Sequence, residues 1–408
     1  MAVVESDRQI LEIISSTLGS MNVKLDLDGY RMIDLDAHES LPQVDEGEKI
    51  ILTIDSLEER NDFVLGFLGC LEGCNVILYS NTKCVDSLYF AAKRSLFCAI
   101  LPFVSTLGDR CFAGSGLRYI YLGEYTGEDG APHVFSGCDY LEKVDCRELT
   151  QINDSMFKAC VRLISLTSRK VCRIMVDAFV RCSLTSITMD ADRMADHFIE
   201  EGALAFSNIR GIQNLNPERY SIYWSEDVRK DVETFVLIDR AEKTLLYLRS
   251  TDGFDLTDGF IRENVLGKSD DDFSLERIGD NACTTMEMSA IGDVHLDGLV
   301  SIGKGGMRNS GIHRLVAPDL RIVDTSAFQS CTSLWMVDAP LLNEVKEYSF
   351  LGCTSLLVFR PILHKCTLGK MAFCHCSSLS SMEFRDDLHC HHDSFDDCDR
   401  LELVCCNS

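Results

Sequence analysis

From about residue 60 onward the apolar positions return in a fixed order: an aromatic, a cysteine three residues on, a leucine six on, another apolar residue nine on. The series reads Phe135-Cys138-Leu141-Val144 and Phe157-Cys160-Leu163-Leu166, and later Phe328-Cys331-Leu334-Val337 and Phe350-Cys353-Leu356-Phe359. Phe373-Cys376-Leu379-Met382 and Phe395-Cys398-Leu401-Val404 continue it. Within each run the phenylalanines advance by 22 or 23 residues, the mark of a repeat architecture. Copies one residue shorter keep the register: Phe112-Ser115-Leu117-Ile120, Phe179-Cys182-Leu184-Ile187 and Met307-Ser310-Ile312-Leu315. Upstream, Phe67-Cys70-Gly73-Val76 and Phe90-Lys93-Leu96-Ala99 keep the spacing with altered side chains. A second apolar position stands five residues before the aromatic, as at Leu107, Ile152, Ile174, Ile302, Val323, Val345 and Leu368.

The pattern predicts a coil. Leu184-Thr185-Ser186-Ile187-Thr188-Met189 ends in period-2 alternation, so each turn contributes one short strand. The Phe-x-x-Cys part has helical-turn spacing and belongs on the opposite side. One turn cannot bury its own apolar set, whereas stacked turns can, each Phe on the next Phe and each Leu on the next Leu. Cys70, Cys138, Cys160, Cys182, Cys331, Cys353, Cys376 and Cys398 then form one inward row.

The strings AFVRCSLTSI (178–187), AFQSCTSLWMV (327–337) and SFLGCTSLLVF (349–359) resemble the BspA-type leucine-rich repeats, found in bacterial surface proteins and in microbial eukaryotes. The resemblance runs over about residues 60–408. It implies a leucine-rich-repeat solenoid, α/β to mainly β: a right-handed coil with a parallel sheet on one face, used for protein–protein contact. The expected organisation is an N-terminal cap over 1–60, a first array over 61–215, a hairpin insertion over 216–272, and a second array over 273–408 continuous with the first.

The cap is read as a helix plus a hairpin. Residues 1–20 place Ile10, Ile13, Ile14 and Leu18 on one helical face, with Ser6 and Gln9 at capping-box spacing. Val23–Leu27 and Tyr30–Leu35 flank Asp28-Gly29, a β-hairpin signal. In the insertion, Phe235–Ile238 and Thr244–Leu248 straddle a polar turn in the same way.

Charge and cysteine content narrow the function classes. The net charge of −25 repels phosphate backbones and anionic lipid heads, so a nucleic acid is not expected as partner. No run approaches 18 apolar residues, so no membrane insertion is expected. Met1 to Arg8 lack a basic stretch followed by an apolar one, which leads to the expectation of a cytoplasmic protein. Twenty cysteines in a reducing compartment are expected as thiols.

Little points to chemistry. Gly298-Leu299-Val300-Ser301-Ile302-Gly303-Lys304 has half of a phosphate loop, but Gly305 stands where a Ser or Thr must hold Mg²⁺. No nucleophile–base pairing or paired carboxylates recur in a fixed local frame, so neither an enzyme nor a cofactor is expected. Strand alternation puts Tyr119, Tyr121, Lys143, Asp145, Arg147, Thr167, Arg169, Thr188, Arg314, Arg360 and Arg385 on the exposed sheet face. Tyr and Arg are enriched at interface hot spots, so these are the expected contacts for a protein partner of acidic character. The alternative is a zinc-binding protein using the His/Cys-rich segment 364–398, with His389, His391 and His392 as candidate ligands.

Overall fold

Each repeat leucine is followed by a short parallel strand. In the computed structural model, Tyr119–Leu122, Lys143–Asp145 and Ser165–Thr167 begin two residues after Leu117, Leu141 and Leu163. Met336–Asp338, Val358–His364 and Ser381–Arg385 stand likewise to Leu334, Leu356 and Leu379. The structure describes residues 2–37, 42–57, 61–71, 73–227, 232–251, 254–266, 272–284, 291–364, 367–385 and 389–405. The chain divides into two units, Met1–Ile199 with Ser207–Leu215, and Glu200–Phe206 with Asn216–Ser408.

Unit 1 carries a seven-stranded parallel sheet in the order Arg31–Asp34, Lys49–Ile54, Asn75–Ser80, Leu96–Leu101, Tyr119–Leu122, Lys143–Asp145, Ser165–Thr167. A narrower parallel ladder is built from Gln151–Ile152, Arg173–Ile174 and Phe198–Ile199, the first two of which contain the apolar position five before the aromatic. Unit 2 repeats the plan, with seven parallel strands from Phe254–Thr257 to Glu402–Cys405. Its second ladder starts as an antiparallel meander, Tyr220–Asp227, Val232–Asp239 and Thr244–Ser250. The third of these pairs in parallel with Arg277–Ile278 and so leads directly into the coil. The expected hairpin is therefore present, with one strand more than the sequence suggested.

The turn opposite the sheet is tighter than a helix. At successive turns the residues two before and two after the repeat phenylalanine have positive φ: His133 and Gly137, Ser155 and Ala159, Ser326 and Ser330. This alternation aims every second N–H at the next turn. His133, Phe135 and Gly137 donate to the carbonyls of Asp154, Met156 and Lys158 at 2.9, 3.0 and 2.8 Å. The rings stack in consequence: Phe112 on Phe135 at 5.6 Å, Phe135 on Phe157 at 5.6 Å, Phe328 on Phe350 and Phe350 on Phe373 at 5.0 Å.

The cysteine row has its own bonding rule. Along most of the row the thiol donates to the carbonyl of the residue that opens the preceding repeat: Cys160 to Phe135 at 3.2 Å, Cys331 to Met307 at 3.0 Å, Cys353 to Phe328 at 3.1 Å. The cysteines whose side chains are described are free thiols. Cys70 departs from the row and is exposed, because it closes a true α-helix, Asn61–Cys70. Cys366 lies outside the described residues.

Two expectations about the N-terminus fail. The helix spans Ala2–Ser20, so Ser6 lies within it and cannot be its cap. Asp28 and Gly29 do make a turn, but no hairpin follows. Arg31–Asp34 pairs in parallel with Lys49–Ile54, and Val23–Leu27 forms no strand. Ile33 has a place in the coil's own sheet, and that packing outweighs the local turn signal.

Candidate functional site

The outer face of the unit 1 sheet changes character along the coil. Register places Ile51, Ile77, Cys98, Tyr119, Lys143 and Ser165 in one row. Thr53, Tyr79, Ile100, Tyr121, Asp145 and Thr167 make the next. Thr53 apart, the early members are apolar and the late ones polar.

The apolar end is covered by the chain itself. Ile14 and Leu18 of the N-terminal helix, with Met21 and Val23, pack on Ile51, Ile77, Tyr79, Cys98 and Ile100, with Tyr119 and Tyr121 at the border. The helix is not a plug in the open end of the coil; it lies on the sheet face. It ends in a Schellman turn: Asn22 sits at φ 54°, Val23 N–H donates to the Leu18 carbonyl at 2.8 Å, and Asn22 N–H to that of Gly19 at 3.0 Å. The Lys143 ammonium donates to the carbonyls of Met21 and Asn22 at 3.1 and 2.7 Å, a cation where a helix C-terminus favours one. Burial under the helix pushes the Cys98 thiol up to about 12. Burial, and then the Glu142 carboxylate, raise the Tyr119 hydroxyl, which donates to Glu142 at 3.2 Å.

The polar end is open, and it is basic. Arg147, Glu148, Thr167, Ser168, Arg169 and Lys170 line a recess of about 430 Å³. Asp145, expected on the surface, is buried, and its carboxylate takes Nε and Nη2 of Arg147 at 3.2 Å each. Lys170 pairs with Glu148. Thr167 and Arg169 are exposed, and among the described residues the Arg169 guanidinium has no partner. Glu148 and Lys170 were missed in the sequence because they lie past the strands, where alternation no longer predicts direction.

The remaining expected contacts do not join this recess. Thr188 belongs to a separate two-stranded sheet with Gly211–Gln213, and its hydroxyl donates to Gln213 at 3.2 Å. Arg314 and Arg360 belong to unit 2 and face Asp293 and Asp338 at 3.5 and 3.6 Å. The side chain of Arg385 lies outside the described residues.

The histidine-rich segment falls into two loose groups. His391 and His392 lie with Asp393, and Cys374 and His375 with Asp397. His389 and Cys390 are exposed on a strand paired with Thr367–Leu368, so Cys390 holds its repeat position without being buried there. Among the described residues each group stops at three candidate ligands, short of the four of a structural zinc site. Asp393 also accepts the Met371 N–H at 3.1 Å, which gives that carboxylate a structural task.

Comparison with known proteins agrees with this architecture. The family described as BspA type Leucine rich repeat region matches in six copies, over residues 85–213 and 300–408. A search of curated proteins finds no match. Among solved structures, a leucine rich cell surface protein from Faecalibacterium prausnitzii is similar at 17% identity, covering 94% of this chain and 93% of that one, with a TM-score of 0.50. A leucine-rich repeat protein from Eubacterium ventriosum is similar at 13% identity, covering 75% and 78%, with a TM-score of 0.44. The pneumococcal vaccine antigen PcpA is similar at 12% identity, covering 95% and 85%, with a TM-score of 0.43.

The expected cytoplasmic location is overturned by these findings, since the Faecalibacterium protein of the same fold is described as a cell surface protein. The physical reason is that eight residues lacking a basic-then-apolar run report on those residues alone. No described helix is long and apolar enough to cross a membrane.

Proposed function

This chain belongs to the BspA-type leucine-rich repeat family, and from that premise we propose that it is a non-catalytic scaffold holding a protein partner outside the cytoplasm. The contact we assign is the open end of the unit 1 sheet face, centred on Thr167, Arg169 and the recess beside them. The observation that carries this reading is Arg169, two residues past the strand Ser165–Thr167, exposed and without a partner among the described residues, flanked by Arg147 and Lys170 in a strongly acidic chain. Positive side chains on such a body orient an acidic partner and speed its encounter. Buried thiols bonded to carbonyls suit a cysteine-rich protein to an oxidising setting, because their thiolate fraction is small.

The test is charge reversal at one position. Arg147 is unsuitable, since a glutamate there would leave the buried Asp145 facing a second carboxylate. Arg169→Glu in the full chain is expected to weaken partner binding by about 2 kcal/mol, as a central contact does, with an unchanged thermal transition. The partner is first fixed by cross-linking to intact cells and mass spectrometry, and its affinity then measured by calorimetry. Arg240→Glu with Lys243→Glu, on the meander, is the control. Loss of the partner in the control alone would move the contact to the meander.

A further inference from the structure

We propose that the apolar half of the unit 1 sheet face is a receptor for an amphipathic helix, and that the N-terminal segment is its displaceable occupant. This surface is separate from the basic recess, and the proposal stands or falls independently of the reading above. Ile51, Ile77 and Cys98, with Tyr79 and Ile100, point outward from strands whose alternate residues Leu52, Leu78 and Ala99 fill the coil interior. Further along, the same rows become Lys143 and Ser165, Asp145 and Thr167, and among the described residues no helix covers Ser165 and Thr167. A helix is therefore needed only where the floor is apolar.

The occupant is seated shallowly. Ile14 and Leu18 are sealed, while Leu11 and Ile13 of the same helix remain 36% and 40% exposed. The polar half of the grip comes from the sheet, where Lys143 holds the carbonyls that follow the helix. An apolar floor plus a cation at one end is what an amphipathic helix of suitable direction requires, whichever chain supplies it. A segment sealed by four side chains, Ile14, Leu18, Met21 and Val23, opens at lower free energy than a coil whose successive turns seal Phe112 and Leu117, Phe135 and Leu141, Phe157 and Leu163.

Cys98 reports the opening. It is a floor residue, 1% exposed, whereas Cys138 and Cys160 lie inside the coil. The native full chain is pulsed with iodoacetamide and the labelled cysteines are counted by peptide mass spectrometry. Cys98 is expected to react about tenfold faster than Cys138 and Cys160 or more, because sub-global opening precedes global unfolding. Lys143→Ala should speed Cys98 alone. Equal rates at Cys98 and Cys138 would mean that the helix leaves only when the coil unfolds, and the proposal is then wrong. In a second arm, the full chain carrying Ile14→Asp and Leu18→Asp is offered a fluorescent peptide of residues 2–23. The peptide is expected to bind this variant about tenfold more tightly than the wild type, where the site is occupied. A folded variant that ignores the peptide overturns the receptor, and a variant that loses its circular dichroism overturns displaceability.

Discussion

Replacing Phe350 by alanine is expected to cost unit 2 about 4–5 kcal/mol, near the top of the range for a buried aromatic. Phe350 is fully buried, with Phe328 and Phe373 stacked on its two faces at 5.0 Å and Phe359 edge-on at 5.6 Å. Removing it leaves a void between two turns and breaks three ring contacts, each worth roughly 0.5–1.5 kcal/mol beyond area. The walls cannot collapse inward, because the backbones are held apart by Phe328 and Phe350 N–H bonds at 2.7 Å each. Phe395, whose ring neighbour among the described residues is Phe373 at 5.6 Å, is expected to cost less than half as much on the same change. Leu357→Ala, at an exposed site, should stay within about 0.5 kcal/mol. Both tryptophans, Trp224 and Trp335, lie in unit 2, so urea titration followed by tryptophan fluorescence reads this unit selectively. A loss below about 2 kcal/mol for Phe350→Ala would show that the ring column is loosely packed.

The second large effect is alkaline. Burial pushes the thiols of Cys98 and Cys182 up to about 12 and those of Cys138 and Cys331 up to about 11, from an ordinary 9.0. Cys111, Cys160 and Cys353 move the same way. With the folded value above the unfolded one, the native state keeps protons that the unfolded state gives up. Stability is thus complete below pH 9 and falls as the pH rises toward 11–12. Each thiol contributes about 1.4 kcal/mol per pH unit within that window. Unit 1 holds Cys98, Cys138 and Cys182 together with Cys111 and Cys160, so at pH 10 the first three thiols alone should have removed roughly 4 kcal/mol relative to neutral pH. The measurement is the urea midpoint by far-ultraviolet circular dichroism between pH 7.5 and 10.5. Tyr125 is raised too, so the thiol share is isolated with Cys138→Ser, serine being what stands at Ser115 and Ser310 in the same register. A pH slope identical in the variant and the wild type would refute the thiol origin.

The coil was legible because its signal is repeated, and the site was less legible because its signals are single. Phe328, Phe350 and Phe373 announce one another at 22- and 23-residue intervals, and strands, ring column and cysteine row all follow from that spacing. The Asp28-Gly29 turn had no such support, and a parallel strand took the place of the hairpin. Lys49–Ile54 and Asn75–Ser80 are apolar at successive positions, unlike Tyr119–Leu122, where inward residues alternate with half-exposed ones. Continuous apolar strands are strands covered on both faces. That contrast in the sequence already marked where a helix must lie. Asp145 could not have been placed from sequence, since its burial depends on Arg147 folding back over it from beyond the strand.

The cysteine-to-carbonyl bonds, with the N–H bonds beside them, join each turn only to the turns next to it. Under tension, these neighbour-to-neighbour bonds give the turns that the N-terminal helix does not cover no shared latch. A unit drawn from one end would shed its outermost turn, lengthen by one repeat, and meet the same resistance at the next. One repeat of 22 or 23 residues drawn straight is roughly 75 Å of chain. A stack of repeats joined only to their neighbours is expected to yield in even strides rather than by one rupture, and to shorten again turn by turn when the load is released.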